Sequence, residues 1–179
     1  MKLILIIVFS FLSISLNAGD YNRPSKEYEA MALKEYRWIH DNTECLLYIN
    51  TSEDAESVLP RNALERYFKL KMRNYVKDIS LANPTNGNLS ANYLSLNLEL
   101  HEYNDQLLIY YGLITFQLMA SVQSSSQPIV DIYKLTIPIA GSDQQIVRFI
   151  KDNIDVLVEL YAEDYYYIED LIKAQAKSK

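Results

Sequence analysis

The fold is decided by residues 142–172, which read SDQQIVRFIKDNIDVLVELYAEDYYYIEDLI. Ser142 followed by Gln145 is a capping-box pattern, which predicts that a helix begins there. Such a helix is about 45 Å long if it is unbroken. Its apolar side chains recur every three or four positions and form one stripe, which another layer must cover: Ile146, Ile150, Ile154, Leu157, Tyr161, Tyr165, Ile168 and Ile172.

The segments directly before this helix predict the layer that it covers. Four leucines, Leu94, Leu96, Leu98 and Leu100, alternate with polar residues and indicate a strand with one buried face. Residues 107–122 predict a second strand, which is apolar on both faces at 107–118 and is therefore expected to be central, with an element packed on each side. Residues 129–139 predict a third strand, and Pro138 suggests that its far end lies at a sheet edge. Polar turns join the three strands into a meander.

The N-terminal half of the chain, from residue 19 onward, predicts three further elements. A helix with a ragged apolar face is expected at 25–39, with Ser25 as its cap. Residues 44–51, ECLLYINT, predict a strand. A second long amphipathic helix is expected at 61–79, and residues 83–88 give the clearest loop signal in the chain.

This order of elements predicts an α+β fold. We expect an antiparallel sheet of about four strands, three of them as the C-terminal meander, with the two long amphipathic helices packed on it. The weaker N-terminal helix, or a partner, is expected on the opposite face of the sheet. Residues 19–179 are expected to form a single domain.

Residues 1–18 predict a secretory signal peptide. Lys2 supplies a positive start, residues 3–16 are almost wholly apolar, and Ala18 is a small residue at the expected cleavage point. The apolar core is shorter than the roughly 20 residues that span a bilayer, so no stable membrane anchor is expected. The prediction is export, either to the periplasm or out of the cell.

Composition limits the classes of partner and the means of stabilisation. Without Lys2, the mature chain has 16 Lys and Arg against 23 Asp and Glu, a net charge of −7. An acidic protein gains little from a phosphate backbone, so nucleic acid is not an expected partner. Cys45 is the single cysteine, so an internal disulfide is excluded. The sequence leaves open whether Cys45 is free.

No pattern in the sequence predicts catalysis. His40 and His101 are too few for a three-histidine zinc site and lack ligand spacing. There is no GxSxG motif, and four glycines supply no phosphate-binding loop. We therefore predict no catalytic residue, no cofactor and no metal. An enzyme whose carboxylates or His101 converge only in space remains an alternative.

One segment predicts a contact surface, which we call the tyrosine–acid patch. It consists of Tyr161, Glu163, Asp164, Tyr165, Tyr166, Tyr167, Glu169 and Asp170. On a continuous helix Tyr166 and Tyr167 point away from the apolar stripe, and exposed clustered tyrosines are typical of protein interfaces. The interleaved acids favour a basic protein segment. Alternatively, the helix bends near Ala162 and a second short helix buries the remaining tyrosines.

Charge is segregated between the two long helices. Residues 61–77 carry six basic residues and one acid, whereas residues 152–170 carry seven acids and no basic residue. Either the helices lie side by side and pair their charges, or one face attracts a charged partner.

The sequence thus supports three hypotheses of function. The first is a non-enzymatic exported envelope protein that binds another protein through a helical surface or the tyrosine–acid patch. The second is a carrier of a small apolar ligand, with a pocket between the sheet and the C-terminal helix. The third is a hydrolase without a visible motif. Partner identity and oligomeric state are not determined by the sequence.

Overall fold

The computed structural model describes residues 23–41, 43–83, 92–104, 108–121 and 129–177. The predicted signal peptide, most of the loop at 83–88 and the turn before the third meander strand lie outside these ranges. The elements in chain order are α1 (Glu29–Asp41), β1 (Glu44–Thr51), α2 (Glu53–Val58), α3 (Arg61–Tyr75), β2 (Ser80–Ala82), β3 (Asn92–Asn104), β4 (Ile109–Ser121), β5 (Ile129–Ser142) and α4 (Asp143–Lys177). The protein is α+β.

The sheet has five strands in the order β2-β1-β3-β4-β5, and it is mixed rather than antiparallel. The meander β3-β4-β5 is antiparallel, with β5 and Pro138 at an edge, but β1 runs parallel to both β3 and β2. The prediction of about four antiparallel strands is therefore wrong in strand number and in the direction of β1. The helices between β1 and β3 carry the chain back across the sheet, and such a crossover makes the two strands parallel.

Two local features of the first half also differ from prediction. Residues 53–58, for which no element was predicted, form α2, which is capped by the Ser52 hydroxyl accepting a hydrogen bond from the Ala55 N–H. The helix predicted at 61–79 ends at Tyr75, because Val76 is already extended. This early end leaves residues 80–82 free to add β2 beside β1.

The hydrophobic core lies between one face of the sheet and helices α3 and α4. The leucine face of β3 is confirmed, since all four leucines from Leu94 to Leu100 are buried. On the polar face Glu99 is exposed, but Ser95 is buried. Apart from Ile172, which is half-buried, every residue of the predicted stripe on α4 is buried. α4 runs without interruption for 35 residues, so no separate second helix folds back near Ala162.

α1 packs on α4 and not on the opposite face of the sheet, contrary to the prediction. Ile39 of α1 belongs to the core, and the His40 ring stacks on Tyr165 of α4 with centroids 5.4 Å apart. The C-terminal half of α4 still carries apolar residues, and α1 covers them. The opposite face of the sheet is open at β4, where Tyr111 and Leu113 are 48% and 42% exposed. Two apolar faces of β4 therefore did not imply two covering layers.

Candidate interaction surface

The structure divides the tyrosine–acid patch into a buried and an outer part. Tyr161 and Tyr165 lie in the core, as their place in the apolar stripe predicts. Asp164 is also buried, with an exposure of only 2%. The outer part is exposed or half-buried and consists of Glu163, Tyr166, Tyr167, Glu169 and Asp170.

The buried carboxylate of Asp164 is held by two residues that are distant in sequence. Arg23 donates from Nε to Oδ2 at 2.8 Å and from Nη2 to Oδ1 at 2.9 Å, a bidentate arrangement. The Tyr133 hydroxyl of β5 donates to Oδ2, also at 2.8 Å. Three hydrogen bonds thus compensate a negative charge that would otherwise be buried without a partner.

The electrostatics of this site keep both donors protonated. The hydrogen bonds to Asp164 raise the pKa of Arg23 above its usual value, and the negative charge of Asp164 adds to this effect. Burial raises the pKa of Tyr133, and the neighbouring Asp164 carboxylate raises it further. Arg23 is therefore permanently charged, and the Tyr133 phenol remains a hydrogen-bond donor.

The residues next to Arg23 also lie against α4. The Tyr167 hydroxyl donates to the main-chain oxygen of Ser25 at 3.3 Å, and a second ion pair joins Arg23 Nη2 to Glu163 at 3.3 Å. Residues 23–25 thus form an N-terminal strap across the tyrosine–acid patch. Sequence patterns did not predict a role for Arg23, which lies in a polar segment outside every predicted element.

Tyr166, expected to be exposed, is half-buried and makes contacts within the fold. Its hydroxyl accepts a hydrogen bond from the Lys77 N–H at 3.4 Å, and its ring packs edge-on against Tyr165 at 5.3 Å. Glu169 pairs with Lys173 one turn further along the helix at 2.8 Å. The acids of the outer part that remain most available are Glu163, whose side chain is 61% exposed, and Asp170.

The charged faces of α3 and α4 pair in part, because the two helices lie side by side. Lys71 forms an ion pair with Asp155 at 2.6 Å, to which the Tyr67 hydroxyl also donates. The Tyr75 hydroxyl donates to Glu159 at 2.6 Å. Pairing between the helices therefore accounts for some of the charge segregation, although several basic residues of α3 point away from α4.

The candidate catalytic groups do not converge. His101 lies on the open sheet face beside Glu99 at 3.2 Å, whereas His40 packs on α4. Within the described part of the chain, no group of three or more His, Cys, Asp and Glu side chains is placed to hold a metal ion. The region between sheet and α4, proposed as a carrier pocket, is filled around Phe116, Tyr133 and Tyr161, whose ring centroids are 5.1–6.0 Å apart.

Cys45 is buried in β1, and burial raises the pKa of its thiol to about 12. We expect a thiol-specific reagent to leave the native protein unmodified at neutral pH, because the reactive species is the thiolate. Mass spectrometry should show one equivalent of label only after addition of denaturant. Labelling of the native protein at the rate of the denatured chain would contradict this placement.

Comparison with known proteins gives only distant structural likeness. No protein-family model and no curated protein matches the chain. A PelC dodecamer from Paraburkholderia phytofirmans is similar over 68% of this chain and 86% of its own, with 14% identity and a TM-score of 0.45. The rare lipoprotein B from Shewanella oneidensis is similar over 74% and 95%, with 10% identity and a TM-score of 0.27. Both TM-scores are below 0.5, so neither structure indicates what this chain binds.

None of the helices in the described ranges is both long and apolar enough to span a bilayer.

Proposed function

We propose that this chain is an exported, non-enzymatic protein of the cell envelope that binds another protein through the outer part of the tyrosine–acid patch. The partner would present an extended segment that carries arginine or lysine. The signal-peptide pattern of residues 1–18 supports export. The acidic composition favours a cationic partner over a nucleic acid.

The N-terminal strap is the observation that carries this proposal. It is an arginine-bearing segment, and the patch holds it through the side chain of Arg23 and the main chain of Ser25. Side-chain recognition of arginine combined with main-chain recognition is what binding an extended peptide requires. The patch thus already performs, within one chain, the kind of recognition that we propose between two proteins.

The outer part extends this surface beyond the strap. Glu163, Tyr167 and Asp170 are spaced by four and three positions, so they lie on one side of α4. Tyr167 is half-buried and supplies a ring, whereas the two acids are exposed and can pair with basic side chains. A second basic segment can therefore bind alongside the strap without displacing Arg23 from the buried Asp164.

A fluorescently labelled peptide of alternating arginine and serine provides a direct test. The chain purified after export should bind it with micromolar affinity at low salt, and anisotropy should report the binding. The double variant Glu163→Lys/Asp170→Lys should bind at least about tenfold more weakly, since like charges replace two attractive contacts.

The matched control is Asp152→Lys/Glu159→Lys, which changes net charge equally on the same helix but outside the patch. It should bind the peptide with nearly the affinity of the unmodified chain. Equal losses in both double variants would show a general charge effect and contradict the proposed site. In envelope extract, a genuine partner should be retained by the control and lost from the patch variant and from Tyr166→Ala/Tyr167→Ala.

A further inference from the structure

α3 carries a row of exposed residues that contacts no other element of the described chain through an ion pair. This basic stripe is defined as Arg66, Leu70 and Arg73. Leu70 is 56% exposed at its centre. In the described residues, no carboxylate lies within the 4.0 Å ion-pair distance of the two arginine side chains.

α4 carries a row with the same spacing and the opposite charge. This acidic stripe is defined as Asp152, Val156 and Glu159, and all three residues are exposed. Val156 is 43% exposed and has the central place that Leu70 has on α3. Each acid has one contact: Asp152 lies 4.0 Å from Arg148, and Glu159 accepts a hydrogen bond from the Tyr75 hydroxyl.

Both stripes face outward from the same side of the molecule. On each helix the stripe lies opposite the residues that are buried against the sheet, given about 100° per residue. The helices run in the same direction, because contacts advance from Tyr67–Asp155 through Tyr75–Glu159 to Lys77–Tyr166. The two stripes are therefore neighbouring and parallel.

We propose that a second copy of this chain covers these stripes, forming a two-fold homodimer. A two-fold axis parallel to the helices places the basic stripe of each copy against the acidic stripe of the other. The dimer therefore contains two equivalent contacts. Equal spacing then aligns Leu70 with Val156, Arg66 with Asp152, and Arg73 with Glu159. The occupant is a second copy because sign, spacing and apolar centre are matched on one molecule.

Charge also predicts how the dimer responds to salt. The mature chain is acidic, so long-range repulsion between copies opposes association at very low ionic strength. At about 0.1 M salt the Debye length is about 10 Å, and repulsion between distant charges is weakened while contacting pairs still attract. At about 1 M salt the pairs themselves are screened, and the dimer should dissociate.

Sedimentation velocity on the exported full chain tests this proposal. We expect a concentration-dependent monomer–dimer equilibrium at about 0.1 M salt that shifts to monomer at about 1 M salt. Arg66→Glu/Arg73→Glu should be monomeric, because two acidic stripes then face each other. Asp152→Lys/Glu159→Lys should be monomeric for the converse reason. The control Lys26→Glu/Lys34→Glu, with the same charge change at exposed positions outside both stripes, should still dimerise.

The decisive measurement mixes the two monomeric variants. The acidic α3 of one then meets the basic α4 of the other with reversed sign, and the second contact pairs the unmodified α4 of the first with the unmodified α3 of the second, so both contacts of the two-fold are attractive. A heterodimer should form from equal amounts of the two. Circular dichroism should first show that each variant is folded.

Three results would overturn the proposal. The first is an unmodified chain that is monomeric at every concentration, which would assign the stripes to a different partner. The second is a mixture of the two variants that stays monomeric. The third is open-ended growth beyond the dimer. Asp152→Lys/Glu159→Lys serves in both tests with different expected results: it should still bind the peptide, and it should no longer dimerise. Either proposal can therefore fail alone.

Discussion

Replacement of Arg23 by alanine is expected to lower the free energy of unfolding by about 3 kcal/mol. The buried carboxylate of Asp164 would lose both hydrogen bonds from the guanidinium and retain only the one from Tyr133. Removal of one partner of a buried ion pair is more destabilising than removal of both, because the remaining charge is not solvated. Chemical denaturation of the protein measures the loss.

Three further variants separate this cause from others. Arg23→Lys should restore part of the stability, since an ammonium supplies charge without the bidentate geometry. Arg23→Ala combined with Asp164→Asn should lose less than the sum of the single changes, because no buried charge remains. Lys26→Ala, an exposed neighbour, should change little. If Arg23→Ala behaves like Lys26→Ala, the strap does not hold the fold together.

Replacement of Gly112 by alanine is expected to cost about 3 kcal/mol, near the upper end for overpacking. Gly112 lies in β4 opposite Leu100 of β3. A Cβ atom at this position would overlap the main-chain oxygen of Glu99 and come within 2.9 Å of the Leu100 Cα. Relief requires the two strands to separate, because main-chain atoms cannot rotate away as a side chain can.

Gly141→Ala is the matched control in the adjacent strand. Its Cβ would meet the Phe149 ring at 2.9 Å, and a side chain can shift to accommodate it. The expected loss is about 1 kcal/mol. Thermal unfolding of both variants gives the comparison, and a loss of only about 1 kcal/mol at Gly112 would show that β3 and β4 tolerate the added methyl group.

Local periodicity predicted the elements whose burial is one-sided. The alternation from Leu94 to Leu100 and the stripe on α4 are both set by residues within a few positions of one another. The direction of β1 was not predictable in this way, since it depends on the path that the chain takes through α2 and α3. The packing position of α1 depends on the part of α4 that the sheet does not cover. The ragged apolar face of α1 does not by itself indicate that position.

The tyrosine–acid patch shows the same limit at the level of a site. Helical geometry correctly removes Tyr166 and Tyr167 from the buried stripe. Helical geometry does not predict which segments lie beside the helix. There the Lys77 N–H donates to the Tyr166 hydroxyl, and the Tyr167 hydroxyl donates to the Ser25 main-chain oxygen. Arg23 and Asp164 are 141 positions apart, and neither belongs to a motif that would pair them.

The sequence alone determines an α+β fold class, a three-stranded meander and a long final helix. The reason is that the regular spacing of apolar residues sets which face of each element is removed from water. Only the tertiary structure decided that β1 is parallel, that α1 lies on α4, and that a buried aspartate holds the N-terminal strap. Those features arise from contacts between residues far apart in the chain, whose geometry exists only once the layers have packed.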